Sequence, residues 1–225
     1  MSMPYYVSPE QVMKDRADYA RKGIARGRSL IGLTYADGIL IVAENHSRSL
    51  HKVSEIYDRV GFAAVGRYNE FDQLRIAGVR AADLKGYSYS REDVDARSLA
   101  NSYAQMLGQV FTHEMKPLEV EILVAEAGLT AVDDRLFQIL YDGTVMDQER
   151  FTVLGGDAET ISERMKLSYV EGQDLTGALR GAVAALAGTD RTLTPKELEV
   201  AHLDRTLSRR TFVRLEGDEL VGLLG

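Results

Sequence analysis

Cysteine is absent from all 225 residues, which excludes disulfides, thiolate-bound metals and a thiol nucleophile. No stretch approaches the roughly 18 apolar residues that a membrane span requires, and residues Met1 to Val7 lack a basic-then-apolar leader pattern. Basic charge is also in short supply, with 27 Lys and Arg against 34 Asp and Glu and a net charge of −7. Such an excess of acid argues against a nucleic-acid surface. The expectation from these absences is a cytoplasmic protein that binds neither membrane nor nucleic acid.

Chemical motifs are equally scarce. The four histidines, His46, His51, His113 and His202, show no i,i+4 pair and no His-Glu-Xaa-Xaa-His spacing, so no metal site is expected. Gly155-Gly156-Asp157 lacks the Lys-Ser/Thr of a phosphate loop and reads as a tight strand-to-helix turn. No Gly-Xaa-Ser-Xaa-Gly elbow is present. Glu119 and Glu121 share one strand face, which reads as solvated.

What is present is pattern. Ser8-Pro9-Glu10-Gln11 has the chemistry of a helix start, with Ser8 as cap, Pro9 in the first turn and Gln11 able to reach back. Met13, Ala17, Ala20 and Ile24 then recur at helical spacing, and Lys14–Asp18 and Asp18–Lys22 are i,i+4 charge pairs. Gly23 and Gly27 end the helix. Its stripe is thin and built from small side chains, so it either lies on its own domain or packs against a neighbouring subunit.

Two apolar runs, Ser29 to Tyr35 and Ile39 to Ala43, flank Asp37-Gly38, a strong hairpin signal. Val53 to Val60 and Phe62 to Gly66 read as a second strand pair turning near Gly61. A helix over Asn69 to Lys85 follows, then another capped by Ser90 and running to Phe111. After Pro117, Val120 to Val124 and Phe137 to Tyr141 alternate as strands, and Phe151 to Gly155 is a short buried run. Two more helices come next, the second opening at Asp174, before strands over Leu198–Leu203 and Thr211–Leu215. Strands in hairpins and helices in pairs make this an α+β chain. Two sheets face to face, each covered outside by a helix pair, bury every apolar face. The expected architecture is a four-layer αββα sandwich over 29–216, with an extra helix over 8–28 and a C-terminal tail over 217–225, all in one domain. That sandwich is the frame of N-terminal-nucleophile hydrolases, in which chain cleavage frees a nucleophile activated by its own α-amine.

At this point longer motifs match a family. Ser8-Pro9-Glu10-Gln11, Tyr19-Ala20-Arg21-Lys22-Gly23, Ala36-Asp37-Gly38 and Lys52-Val53-Ser54-Glu55-Ile56-Tyr57-Asp58 closely resemble α subunits of the 20S proteasome. The actinobacterial version is matched in particular by Gly23-Ile24-Ala25-Arg26-Gly27-Arg28-Ser29, Val42-Ala43-Glu44-Asn45-His46 and Tyr57 to Gly66. The likeness runs from about Pro4 to Leu215.

The resemblance implies a non-catalytic subunit of a threonine-type protease complex, needing no cofactor. It implies heptameric rings stacked on catalytic β subunits, a docked AAA ATPase activator ring, and substrates tagged with the prokaryotic ubiquitin-like modifier. Ser2, Met3, Pro4, Tyr5, Tyr6 and Val7 would gate the axial pore. The helix bearing Ser8, Pro9, Met13, Ala17, Ala20 and Ile24 would lie between subunits. Lys52 would receive the activator's terminal carboxylate, a pairing that suits a cation. It also falls where β subunits carry their active-site lysine, while Arg28 occupies the place of their N-terminal threonine and Glu44 that of their aspartate. A guanidinium stays protonated and cannot act as a nucleophile. Leu118 replaces an aromatic common in the family, so no pore-lining role is implied there. The alternative is an autoprocessed peptidase using Ser29, disfavoured by the long helix upstream.

Overall fold

The computed structural model describes residues 8–225, so the gate assigned to Ser2, Met3, Pro4, Tyr5, Tyr6 and Val7 lies outside the described residues. Helix α1 spans Pro9–Ile24, and Ser8 Oγ accepts from the Gln11 amide at 3.2 Å. The reciprocal half of the capping arrangement is missing, because Gln11 Nε2 donates to Asp15 at 2.7 Å. Asp18 pairs at i+3 with Arg21, 3.3 Å away, rather than with Lys14 or Lys22.

Strands β1 (Leu30–Tyr35) and β2 (Gly38–Glu44) form the expected hairpin. Gly38 has φ +152°, and a Cβ there would lie 1.8 Å from the Leu203 carbonyl oxygen, so glycine is required at this turn. Strands β3 (Val53–Tyr57) and β4 (Val60–Gly66) pair with Tyr57 opposite Val60. Their turn is therefore Asp58-Arg59 and not Gly61. Arg91 holds the Asp58 carboxylate and the Thr211 amide holds its carbonyl, which pins the chain at that corner.

Helix α2 covers Tyr68–Ser88 and α3 covers Ala96–His113. Ser90 caps only a single 3-10 turn, Arg91–Asp93. The start of α3 belongs to Asp95, which accepts the Ser98 amide at 2.7 Å and is itself held by Lys85 at 2.8 Å. Strands β5 (Val120–Glu126), β6 (Arg135–Ile139), β7 (Val145–Gln148) and β8 (Phe151–Leu154) follow. Strand β7 carries little apolar alternation and escapes a pattern reading. Helices α4 (Ala158–Ser168) and α5 (Leu175–Ala187) precede β9 (Leu198–Asp204) and β10 (Phe212–Leu215). The segment expected as a C-terminal tail carries helix α6, Gly217–Leu224, whose Leu220 is buried with the α5 side chains.

The two five-stranded antiparallel sheets run β10-β9-β2-β1-β8 and β3-β4-β5-β6-β7. Three apolar layers alternate with them. Leu40, Val42 and Ile31 point out to α4, α5 and α6, and Phe62, Ile122 and Val124 point out to α2 and α3. Ile39, Ile41, Ala43, Ala63, Leu123 and Ala125 meet between the sheets. Every residue of β2 is buried because the sheet is covered on both faces, which is why its sequence is an unbroken apolar run. The layers are α, β, β, α. Each large side chain removed from water in this way contributes about 1.5–3 kcal/mol.

Ala20 and Ile24 of α1 belong to the layer between the sheets, with Ala17 packed against it. Ala20 and Ile24 are thus buried within the chain itself, and Ala17 is half-buried against them. Small side chains suit the position because α1 lies close over the sheet. A Cβ at Gly23 would sit 2.1 Å from Glu119 Oε1. Val12, Met13 and Tyr19 stay exposed, so the outward face of α1 is a different one, and Ser8 and Pro9 also lie in the open.

Candidate functional site

The chemistry gathers at the end of the sandwich where β1 begins and β2 ends. Glu44 is the last residue of β2, almost wholly buried, and four basic side chains surround it. Arg28 lies 3.1 Å from Oε1, and Arg191 donates to both carboxylate oxygens at 3.0 and 3.2 Å. Arg191 also donates to the Leu186 carbonyl at 3.0 Å, and His46 Nε2 stands 3.4 Å from Glu44. Lys52 completes the group from the backbone side, donating to the Glu44 carbonyl. Burial alone would raise the Glu44 carboxyl. The Arg191 and His46 hydrogen bonds and the charges of Arg191 and Arg28 outweigh it and hold the group below the usual carboxylate range.

Arg28 stands just ahead of β1, at the corner where Glu44 ends β2. Its guanidinium is spent on Glu44 and cannot attack a carbonyl. Ser29, the alternative nucleophile, is 5% exposed, and its carbonyl accepts from the Glu44 amide at 3.1 Å. Gly155, at φ +115°, closes over it so tightly that a Cβ would reach 2.8 Å from Ser29 Oγ. The cleft outside this corner, about 590 Å³, is lined by Arg26, Arg28, Glu44, Arg164 and Arg191. Ser29 borders it too, beside the Arg28–Glu44 and Arg191–Glu44 pairs.

Lys52 stands beside this corner. Its Nζ donates to the backbone carbonyl of Arg28 at 2.7 Å and of Glu44 at 3.0 Å. An ammonium carries three donors, and these two carbonyls use two of them. Burial depresses its pKa from the ordinary lysine value to about 8, with Arg28 acting the same way and the carboxylates of Glu199 and Glu44 opposing. Lys52 is thus a held, half-buried cation rather than a solvated strand-edge lysine.

Sequence reasoning missed two partners of the site. Arg191 lies in a loop and is brought to Glu44 only by the fold. Glu199 is a lone acid inside the apolar run Leu198–Leu203, and that misfit in the pattern was the available signal. The reading of Glu119 and Glu121 as solvated is corrected. Glu119 lies just ahead of β5 and Glu121 on its inward face. Glu119 is buried against Lys116 and Arg67, at 3.0 and 3.2 Å. Glu121 accepts from Gln138 at 2.8 Å and from the Gly155 amide at 3.2 Å, and Thr152 donates to Gln138 at 2.8 Å. Burial raises the Glu121 carboxyl against these donors. The chain joins the two sheets by polar contacts where apolar filling stops.

Among the described residues no group of His, Cys, Asp or Glu is arranged to hold a metal, and no helix is long and apolar enough to cross a membrane.

Residues 24–203 match the family model described as proteasome subunit. The whole chain is 64% identical to the proteasome subunit alpha of Acidimicrobium ferrooxidans, covering 97% of that protein. It is 58% identical to the proteasome subunit alpha of Kineococcus radiotolerans, covering 98%. With the proteasome subunit alpha of Thermobifida fusca the identity is 56% over all of this chain and 91% of the relative.

Proposed function

Since the chain belongs to the proteasome subunit family, as an α subunit, we propose that it builds the outer rings of a cytoplasmic core particle, controls entry and docks an ATPase activator. In this reading α neighbours close a heptameric ring and β subunits stack beneath it and carry the proteolysis. The chain's own nucleophile corner contributes none, being occupied by Arg28 and Glu44. Residues Ser2 to Val7 gate the pore, and protein substrates carrying the prokaryotic ubiquitin-like modifier enter when an activator is docked. Deleting that segment raises peptide hydrolysis by the α–β particle if it blocks the way.

The observation that carries the docking role is the setting of Lys52. Two backbone carbonyls hold its ammonium at 2.7 and 3.0 Å, which fixes the charge in place before any ligand arrives. A preorganised cation binds a terminal carboxylate without the entropy cost of ordering a free lysine. Its third N–H is the donor available to that carboxylate.

The test is Lys52→Ala in the assembled particle. Truncation leaves the incoming carboxylate unpaired and costs on the order of 2–4 kcal/mol per occupied site, an effect that several sites around a ring multiply. Activator co-sedimentation and ATP-dependent degradation of a folded tagged protein collapse, while small-peptide hydrolysis by a gate-deleted particle persists. Degradation at the wild-type rate would refute the docking role.

A further inference from the structure

Glu199, on β9, is buried and accepts from five directions. Oε2 takes the Asn45 side-chain amide and the Lys52 backbone amide, each at 2.8 Å. Oε1 takes the Val53 amide at 3.1 Å and Arg214 at 2.7 Å, with His51 Nδ1 at 3.2 Å. Arg214 uses its other nitrogen on the Val53 carbonyl at 2.7 Å, and the Lys52 carbonyl accepts from the Ala64 amide at 3.1 Å. The backbone on both sides of the Lys52 Cα is therefore anchored. From that anchored point the side chain runs to the Arg28 and Glu44 carbonyls.

We propose that Glu199 is the positioning residue of Lys52: it fixes the backbone from which the ammonium is presented and sets a carboxylate beside it. The inference rests on the docking role proposed above. A simpler structural role would need only one or two of these bonds. Here a single carboxylate gathers two consecutive amides at the start of β3, an asparagine from the loop after β2 and an arginine from β10.

The charges facing the ammonium come from three directions. Glu199 and Glu44 favour the protonated lysine and Arg28 disfavours it, Glu199 being the larger of the two favourable influences. His51 and Arg214 face Glu199, and Arg191, Arg28 and His46 face Glu44. With burial already pulling Lys52 down to about 8, loss of the Glu199 charge moves its protonation to lower pH.

The experiment is competitive acetylation of Lys52 across pH in the assembled α–β particle, read by mass spectrometry. Wild type, Glu199→Gln and Glu199→Asp are compared. The wild-type midpoint is expected near 8. Glu199→Gln keeps the shape and removes the charge, and should lower the midpoint by about one pH unit. Glu199→Asp should stay near wild type. Binding of a peptide with a free C-terminal carboxylate, controlled by its amidated form, should fail at correspondingly lower pH in Glu199→Gln. A purely structural role weakens that binding at every pH and leaves the midpoint where it was. An unmoved midpoint in Glu199→Gln, or an equal fall in Glu199→Asp, overturns the proposal. If Glu199→Gln does not assemble, Glu199→Asp decides through hydrogen exchange, because its shorter side chain releases the Lys52 and Val53 amides. Unchanged exchange there overturns the proposal as well. Acetylation reads Lys52 directly, so the two ideas fail separately. Peptide binding that survives Lys52→Ala defeats the docking role alone, and an unmoved midpoint defeats the positioning role alone.

Discussion

A lysine with a pKa near 8 works only over part of the accessible pH range. Below that value Lys52 is charged and the free site is ready for a carboxylate. Above it, binding must first restore the proton, so affinity falls as pH rises. The activator peptide should bind with constant strength from about pH 6 to about 7.5 and weaken steadily towards about pH 10. Unfolding through this group cannot mimic the effect. Its folded value lies below the unfolded one, so between the two the unfolded chain holds more protons and stability gains with rising pH. Binding that is flat through pH 8 to 10 would detach Lys52 from docking. Glu44 shifts stability in the same direction, in the acid range. Its carboxyl is depressed in the folded chain, so the stability it supplies is full above the unfolded carboxylate range and is lost as pH falls through the folded value. Glu44→Gln should lower the melting temperature near neutral pH, where Arg28 and Arg191 lose their counter-charge. The wild-type and variant curves should converge in acid. A gap that persists at low pH would assign the loss to packing instead.

At the scale of the element, α1 shows that a helix can be legible in sequence while the neighbours of its faces are not. Its limits, Pro9 to Ile24, were legible because Ser8, Pro9 and the apolar spacing are local features. The partner of its stripe was not. Small residues suit an inter-subunit contact and a close approach to the chain's own sheet equally, and only tertiary structure separates them. Ala20 is fully buried between the sheets, so Ala20→Glu places an unpaired charge in the core at a cost of several kcal/mol or about that. The isolated subunit should lose most of its cooperative thermal transition. Met13→Glu changes an exposed position and should leave that transition in place while weakening ring formation in native mass spectra. A folded Ala20→Glu monomer would contradict the packing described. Rings unaffected by Met13→Glu would remove Met13 from the inter-subunit face. Other elements repeat the lesson. Asp95 caps α3 in place of Ser90: Ser98 in the first turn of α3 donates to it, and Lys85 of α2 holds it from outside the segment.

At the scale of the molecule, the αββα layering was legible because hairpin signals and paired helices leave few ways to cover four apolar faces. The site was legible only in part. Lys52 and Arg28 stand in long motifs, whereas Glu199 meets Val53 across 146 residues of sequence, a distance no local pattern spans. Glu121 and Glu119 were misplaced for a related reason. Alternation assigns residues to a face but does not say which face meets water, and here charged and polar partners meet those carboxylates inside. Helix α6 was missed because its apolar face is short and finds its partner on α5.

The sandwich keeps a hydrolase frame, and at the start of β1 the Arg28–Glu44 pair stands where we propose that a hydrolase would carry its nucleophile. Intact-mass measurement of the chain recovered from active α–β particles tests that claim most directly. The expected chain still carries the segment ahead of Ser29, apart from any loss of Met1. A chain shortened by the 28 residues that precede Ser29, with peptidase activity abolished by Ser29→Ala, would contradict it.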